Sequence, residues 1–208
     1  MIPSQRHLFN IPQDITYLNC AYLSPQLKAV TEAGLSGVAA KEQPWRLTPT
    51  DFFTLTEQTR ALFAELIGAR TDDIAIIPAA SYGVSVAARN ISLVPEKDIV
   101  ILEDQFPSNV YSWRELAKDK GAQIKTVSRP QDTDWTAAVL DSIDDKTAVV
   151  AVGVCHWTDG SLIDMVKLGD RCRQVQAALV IDATQSLGAL PFSVPEVQPD
   201  FLVAASYK

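Results

Sequence analysis

Short runs of aliphatic and β-branched residues alternate along the chain with segments of helical period. Ile74–Ile77, Asp98–Leu102, Gln123–Val127, Thr147–Val152, Ala178–Ile181 and Asp200–Ala204 read as strands. Several are apolar on both faces, as strands covered by helices on both sides should be. Thr50–Ile67 carries Phe52, Phe53, Leu55, Leu62, Phe63 and Leu66 at helical spacing, with Gly68 as the stop. Ser108–Lys120 places Val110, Trp113, Leu116 and Ala117 on one helical face and ends at Gly121, and Asp134–Ile143 and Ile163–Ala177 follow the same pattern. This alternation predicts βαβ units with right-handed crossovers, hence an α/β fold with a mostly parallel sheet and flanking helices. Residues 1–50 read differently. A helix over Leu27–Lys41 sits among Pro3, Pro12, Pro25, Pro44 and Pro49, so 1–50 is expected to form an arm and helix, and 51–208 the sheet domain.

Composition narrows the function classes. With 47% hydrophobic residues in 208, the chain can bury a sizeable core. A net charge of -7 and the absence of Lys/Arg runs argue against a nucleic-acid partner. Cys20, Cys155 and Cys172 form no C-x-x-C pair, which argues against a disulfide framework or a zinc site and fits a reducing cytoplasm. Cys155 is expected to be a small buried hydrophobe. Residues 1–7 lack the apolar core of a signal peptide, and no run reaches the length of a membrane span.

In open α/β sheets ligands bind beyond the carboxyl ends of the strands. After Ile77 come Ala80 and Ser81, whose backbone amides and hydroxyl suit a phosphate, although Ser81 equally suits a helix N-cap. After Leu102 come Phe106, which suits either stacking on a planar ligand or the core, and Ser108, a candidate cap. After Val152 come His156 and Trp157, candidates for the substrate side, with a hydrogen-bonded loop histidine as the alternative. Asp182 ends an apolar strand, where a carboxylate needs a cation or a turn to cap, and Gln185 follows it. The last residues, Tyr207 and Lys208, place an amine beyond the final strand. A lysine held there can act as a nucleophile, with a terminal, solvated lysine as the alternative. No G-x-G-x-x-G or Walker motif supports a nucleotide site.

The order of these elements resembles the class-V aminotransferase-fold enzymes that use pyridoxal 5'-phosphate (PLP), the group of cysteine desulfurases, kynureninases and isopenicillin-N-epimerase-like proteins. The resemblance runs over roughly residues 15–208. It rests on Ile15–Pro25 as the opening segment, Ala80-Ser81, Phe106-Pro107-Ser108-Asn109, Val180-Ile181-Asp182-Ala183-Thr184-Gln185, and Ser206-Tyr207-Lys208. It implies the large domain of a fold type I PLP enzyme, incomplete at the C-terminus. By resemblance Lys208 carries PLP as a Schiff base, Asp182 keeps the pyridine nitrogen protonated, Gln185 bonds the ring oxygen and Phe106 stacks on the ring. Ala80, Ser81 and Tyr207 hold the phosphate. The resemblance further implies an amino acid substrate and a homodimer. The family continues well past the lysine, so transamination, elimination, racemisation and desulfuration share the half seen here. A PLP-dependent lyase or desulfurase, and a non-catalytic remnant of the fold, are the alternatives to an aminotransferase. A sheet cut at this point exposes an edge and an apolar face, so a polypeptide of these residues alone is expected to be unstable or to aggregate.

Overall fold

The computed structural model describes residues 3–208. The chain divides into two compact units: Met1–Thr59 with Ser206–Lys208, and Arg60–Ala205.

In the first unit, Phe9 and Leu27 form an antiparallel bridge, and the Lys28 ammonium donates to the His7 carbonyl at 3.0 Å. The predicted helix over Leu27–Lys41 is present as α1, Lys28–Ala40. It buries no residue, and Leu35 and Val38 stay exposed. Helix α2, Asp51–Ile67, has residues 51–59 in the first unit and 60–67 in the second, and it begins where the Asp51 carboxylate accepts from the amide and hydroxyl of Thr48, at 2.7 and 2.8 Å. Its apolar period does not coincide with its buried residues. Ala64 and Ile67 are buried, whereas Phe52, Phe53, Leu55, Leu62 and Leu66 are exposed. Periodicity marks a face fit for burial; burial itself requires something to pack on it.

In the second unit, β1 (Asp98–Leu102), β2 (Gln123–Val127), β3 (Thr147–Gly153), β4 (Ala178–Asp182) and β5 (Phe201–Val203) form a parallel sheet in the order β2-β1-β3-β4-β5. Helices α3 (Ala80–Asn90), α4 (Tyr111–Lys120), α5 (Trp135–Ser142), α6 (Met165–Val175) and α7 (Val194–Val197) connect or cover the strands. The strand residues alternate between two cores. Ile99, Ile101, Val149 and Ala151 pack with Val84 of α3 and Trp113 of α4. Val100, Leu102, Val150 and Val152 pack with Trp135 of α5 and Leu168 of α6. The sheet is therefore covered on both sides, which is why its inner strands β1, β3 and β4 are largely apolar, while the edge strand β2 carries Gln123, Lys125 and Thr126. Gly68 and Gly121, both with φ near +70°, end α2 and α4 in the left-handed conformation that glycine adopts without strain.

One expected strand does not form. Ile74–Ile77 is without strand assignment and is absent from the sheet. The carbonyls of Thr71 and Ile74 accept from the Arg60 guanidinium at 2.9 and 2.7 Å rather than from a neighbouring strand, and Pro78 follows. A β-branched run is a strand only when a ladder partner is in register with it. The segment leads into α3, which lies tight against the sheet. A Cβ placed at Gly83 would stand 2.6 Å from a Val203 methyl and 2.7 Å from the Ile77 Cδ1.

Among the described residues, no helix is long and apolar enough to cross a membrane.

Candidate active site

Strand order places the site. β1 sends the chain one way to β2 and later the other way to β3, so the β1/β3 boundary is the topological switch point of the sheet. The β1–β3 pairing runs only as far as Val100 and Val150. Beyond it, the Gln105 amide donates to the Ala151 carbonyl at 2.8 Å, bridging the two strands where their ladder has ended.

Asp182 is the last residue of β4, and Phe106, His156, Trp157 and Gln185 follow the carboxyl ends of β1, β3 and β4, which are neighbours in the sheet. Phe106 is 39% exposed and meets Trp157 edge to face, with ring centroids 5.4 Å apart and planes at 87°. The Trp157 indole N–H donates to the Asp104 carbonyl at 2.6 Å. Asp182 is half-buried, and one carboxylate oxygen accepts from the Thr184 amide at 3.0 Å. That turn is held in place from β5, because the Ala183 amide donates to the Val203 carbonyl and the Ala205 amide to the Thr184 hydroxyl, at 2.8 and 3.1 Å. Gln185 is half-buried beside it.

Ala80 and Ser81 form the first turn of α3, and α3 packs against β4 and β5. Neither serine expected as a cap serves as one. The N-cap of α3 is Ala79, with no side-chain hydrogen bond, so Ser81 lies inside the helix, one residue after its first position. Ser108 sits within the 3-10 turn Pro107–Asn109, and α4 starts after Val110 with no side-chain cap. The chain enters α3 from an extended Ala79, a residue with no capping oxygen, and this leaves the first amides of the helix outside its own hydrogen-bond ladder. Such a helix start favours an anion.

His156 is buried, and both of its ring nitrogens are engaged. Nε2 donates to the Glu103 carbonyl at 3.0 Å, and Nδ1 accepts from the Thr158 hydroxyl at 2.9 Å. Since a carbonyl can only accept, the network assigns the Nε2–H tautomer. The ring stacks on Trp135, with centroids 4.7 Å apart and planes at 6°. Cys155 is half-buried, less enclosed than expected, where it bridges to Leu162; burial first and the Asp159 charge second push its thiol up. Cys172 lies in the core, where burial pushes its thiol up to about 12. Among the described residues the three cysteines are free.

Sequence reasoning did not single out Arg129, Trp135 or Asp159, which join these turns. The Arg129 guanidinium pairs with the Asp159 carboxylate and donates to the Thr158 hydroxyl at 2.7 Å. Its position just past β2, at the same carboxyl edge as the other candidates, is the signal that could have found it. Burial pushes the Asp159 carboxyl up, but hydrogen bonds from the Ser161 amide and hydroxyl outweigh burial and hold it below its ordinary value. A carboxyl depressed in the fold stabilises it above the unfolded value, and that contribution is lost as pH falls through the lower folded value. The thermal midpoint of the protein is therefore expected to exceed that of Asp159→Asn at about pH 6, with the difference narrowing as pH falls below about 4. A difference that stays constant across that range would contradict the assignment.

In the first unit, Tyr207 is exposed and Lys208 half-buried, with the Lys208 ammonium 5.7 Å from the Tyr207 ring centroid.

Comparison with known proteins agrees with this architecture. The chain is 27% identical over 158 residues to a probable cysteine desulfurase of Mycoplasma genitalium, covering 74% of this chain and 39% of that protein. It is 24% identical over 216 residues to a kynureninase of Burkholderia mallei, covering 98% and 50%. A solved mutant of C-DES, with glycine covalently linked to its PLP cofactor, superposes with a TM-score of 0.88 at 18% identity, over 98% of this chain and 56% of that one. The chain thus has the fold of about half of that structure, and it spans 39 to 50% of the length of these two curated relatives. Residues 46–208 match the family described as aminotransferase class-V, and the chain belongs to that family.

Proposed function

We propose that this chain supplies the cofactor-binding part of a PLP-dependent enzyme that acts on an amino acid. The observation that carries the reading is the succession of residues along one edge of the sheet. Phe106, Asp182 and the uncapped start of α3 fit three parts of the cofactor: an aromatic face, a cationic ring nitrogen and a phosphate. When bound, PLP supplies an electron sink for charge developing at the substrate Cα.

The chain's own residues divide the remaining work. Ala80 and Ser81 would bind the phosphate through the start of α3, with Tyr207 assisting. Asp182 would hold the ring nitrogen in its protonated form, with its orientation set by Thr184, and Gln185 would donate to the ring oxygen. Phe106 would cover the ring, and Trp157 and His156 would lie on the substrate side. Lys208 would hold the cofactor covalently and carry a proton to or from the substrate Cα.

The names of the relatives also support a second reading of the reaction, a lyase of the desulfurase or kynureninase type. The segment Phe106-Pro107-Ser108-Asn109 supports the kynureninase form. The reading extends to a homodimer in the cytoplasm, a reducing compartment that suits the free cysteines.

The test is to titrate the full-length protein with PLP. A visible absorbance band should appear at saturation and persist through desalting. Asp182→Ala should lower activity by the equivalent of about 2–5 kcal/mol, the usual cost of truncating one member of an enclosed charge pair. A protein that stays colourless with PLP would refute the reading and favour a non-catalytic remnant.

A further inference from the structure

We propose that Arg129 is the positioning residue that holds the Phe106–Trp157 aromatic pair in place, acting through the turns that follow β1 and β3. The proposal deepens the reading above, on which it depends only for what the pair faces.

β1 lies between β2 and β3, so a residue just past β2 can reach the turns of both other strands only by spanning β1. Arg129 does this with its backbone and its side chain. Its amide donates to the Glu103 carboxylate at 2.7 Å, in the turn after β1. Its guanidinium reaches Thr158 and Asp159, in the turn after β3, and stands 3.8 Å from the Asp104 carboxylate. The guanidinium carbon lies 5.5 Å from the Trp135 ring centroid, over the ring. Arg129 thus grips residues that precede Phe106 and residues that follow Trp157.

The turn after β1 requires such a grip. Asp104 has φ +52°, a left-handed backbone uncommon for a residue with a side chain. Its carbonyl is the acceptor for the Trp157 indole. If Asp104 relaxes, the acceptor moves and the Trp157 ring loses its anchor, and with it the perpendicular contact to Phe106. Lysine cannot replace the arrangement. A guanidinium presents a planar fork to a carboxylate and a hydroxyl while lying over an indole, whereas an ammonium offers a point charge.

The test uses the full-length protein with Arg129→Met and Arg129→Lys. The side chain is one-third exposed, so neither change opens the core. Amide hydrogen exchange without added cofactor reads the grip directly. In Arg129→Met, exchange over residues 103–109 and 156–161 should rise about tenfold or more, while strand amides in β1 and β3 exchange as in the parent. With PLP bound, the visible circular dichroism should weaken and PLP should dissociate about tenfold faster, and lysine should restore less than half of either change. Unchanged exchange in both turns, a rise spread evenly over the strands, or full rescue by lysine would overturn the proposal. If the parent protein takes up no PLP, the reading of function fails, and the exchange data still decide the role of Arg129.

Discussion

Lys208→Ala is expected to abolish the visible band that PLP gives with the full-length protein and to lower turnover by about 10²- to 10⁴-fold. The two effects have one cause. The same amine is proposed to hold the cofactor and to move the proton at the substrate Cα, so its loss removes the covalent attachment and the acid–base group together. Lys208 follows β5 directly, in the segment Ala204-Ala205-Ser206-Tyr207-Lys208, and it is half-buried, beside Tyr207. No core residue changes, so the denaturation midpoint should shift by no more than about 0.5 kcal/mol of stability. Absorbance after desalting, steady-state turnover and a denaturant titration separate loss of chemistry from loss of fold. A variant that keeps the band and full turnover would remove Lys208 from the site.

Trp135→Ala is expected to cost about 3–5 kcal/mol of stability, the usual range for deleting a fully buried large aromatic side chain. Trp135 has 0% exposure and is the first residue of α5, where the Asp134 carboxylate caps the helix by accepting from the Ala137 amide at 3.0 Å. Its ring fills the core beneath β1 and β3 and is also the surface on which His156 stacks and over which Arg129 lies. The substitution therefore removes packing and leaves two polar groups without their platform. Since small domains have about 5–15 kcal/mol in total, the loss would be a large share of it. Urea unfolding followed by circular dichroism measures it, and Trp135→Phe should recover most of the midpoint. A cost below about 1 kcal/mol would show that the core closes over the gap.

Local patterns were legible where the sequence alone decides them. β1 spans the residues its apolar run marks, because it has a strand on each side and packs into both cores, and β2 spans Gln123–Val127 as expected although it is an edge strand paired with β1 alone. Gly68 and Gly121 stop helices for a reason carried by glycine itself. Ile74–Ile77 has the residue types of a strand but no ladder partner, and the carbonyls of Ile74 and of Thr71 before it are taken by Arg60, a contact that composition cannot show. Ser81 and Ser108 were both candidates for caps, and backbone geometry placed each of them inside its turn. The candidates at the strand ends were legible from order alone. The network that joins them was not, because it links residues 26, 30 and 53 positions apart through Arg129, Asp159 and His156.

The close seat of α3 on β5 makes Gly83 a sensor of change elsewhere. Position 83 carries no chemistry, yet any side chain there would push against Val203 and Ile77 and tilt the helix whose first turn contains Ser81. In a mutational scan scored by cofactor retention, position 83 should look as intolerant as a ligand-contacting residue. Variants that recover from a substitution there should do so by shrinking Val203 or Ile77, so the three positions should change together across related sequences while Ser81 stays fixed.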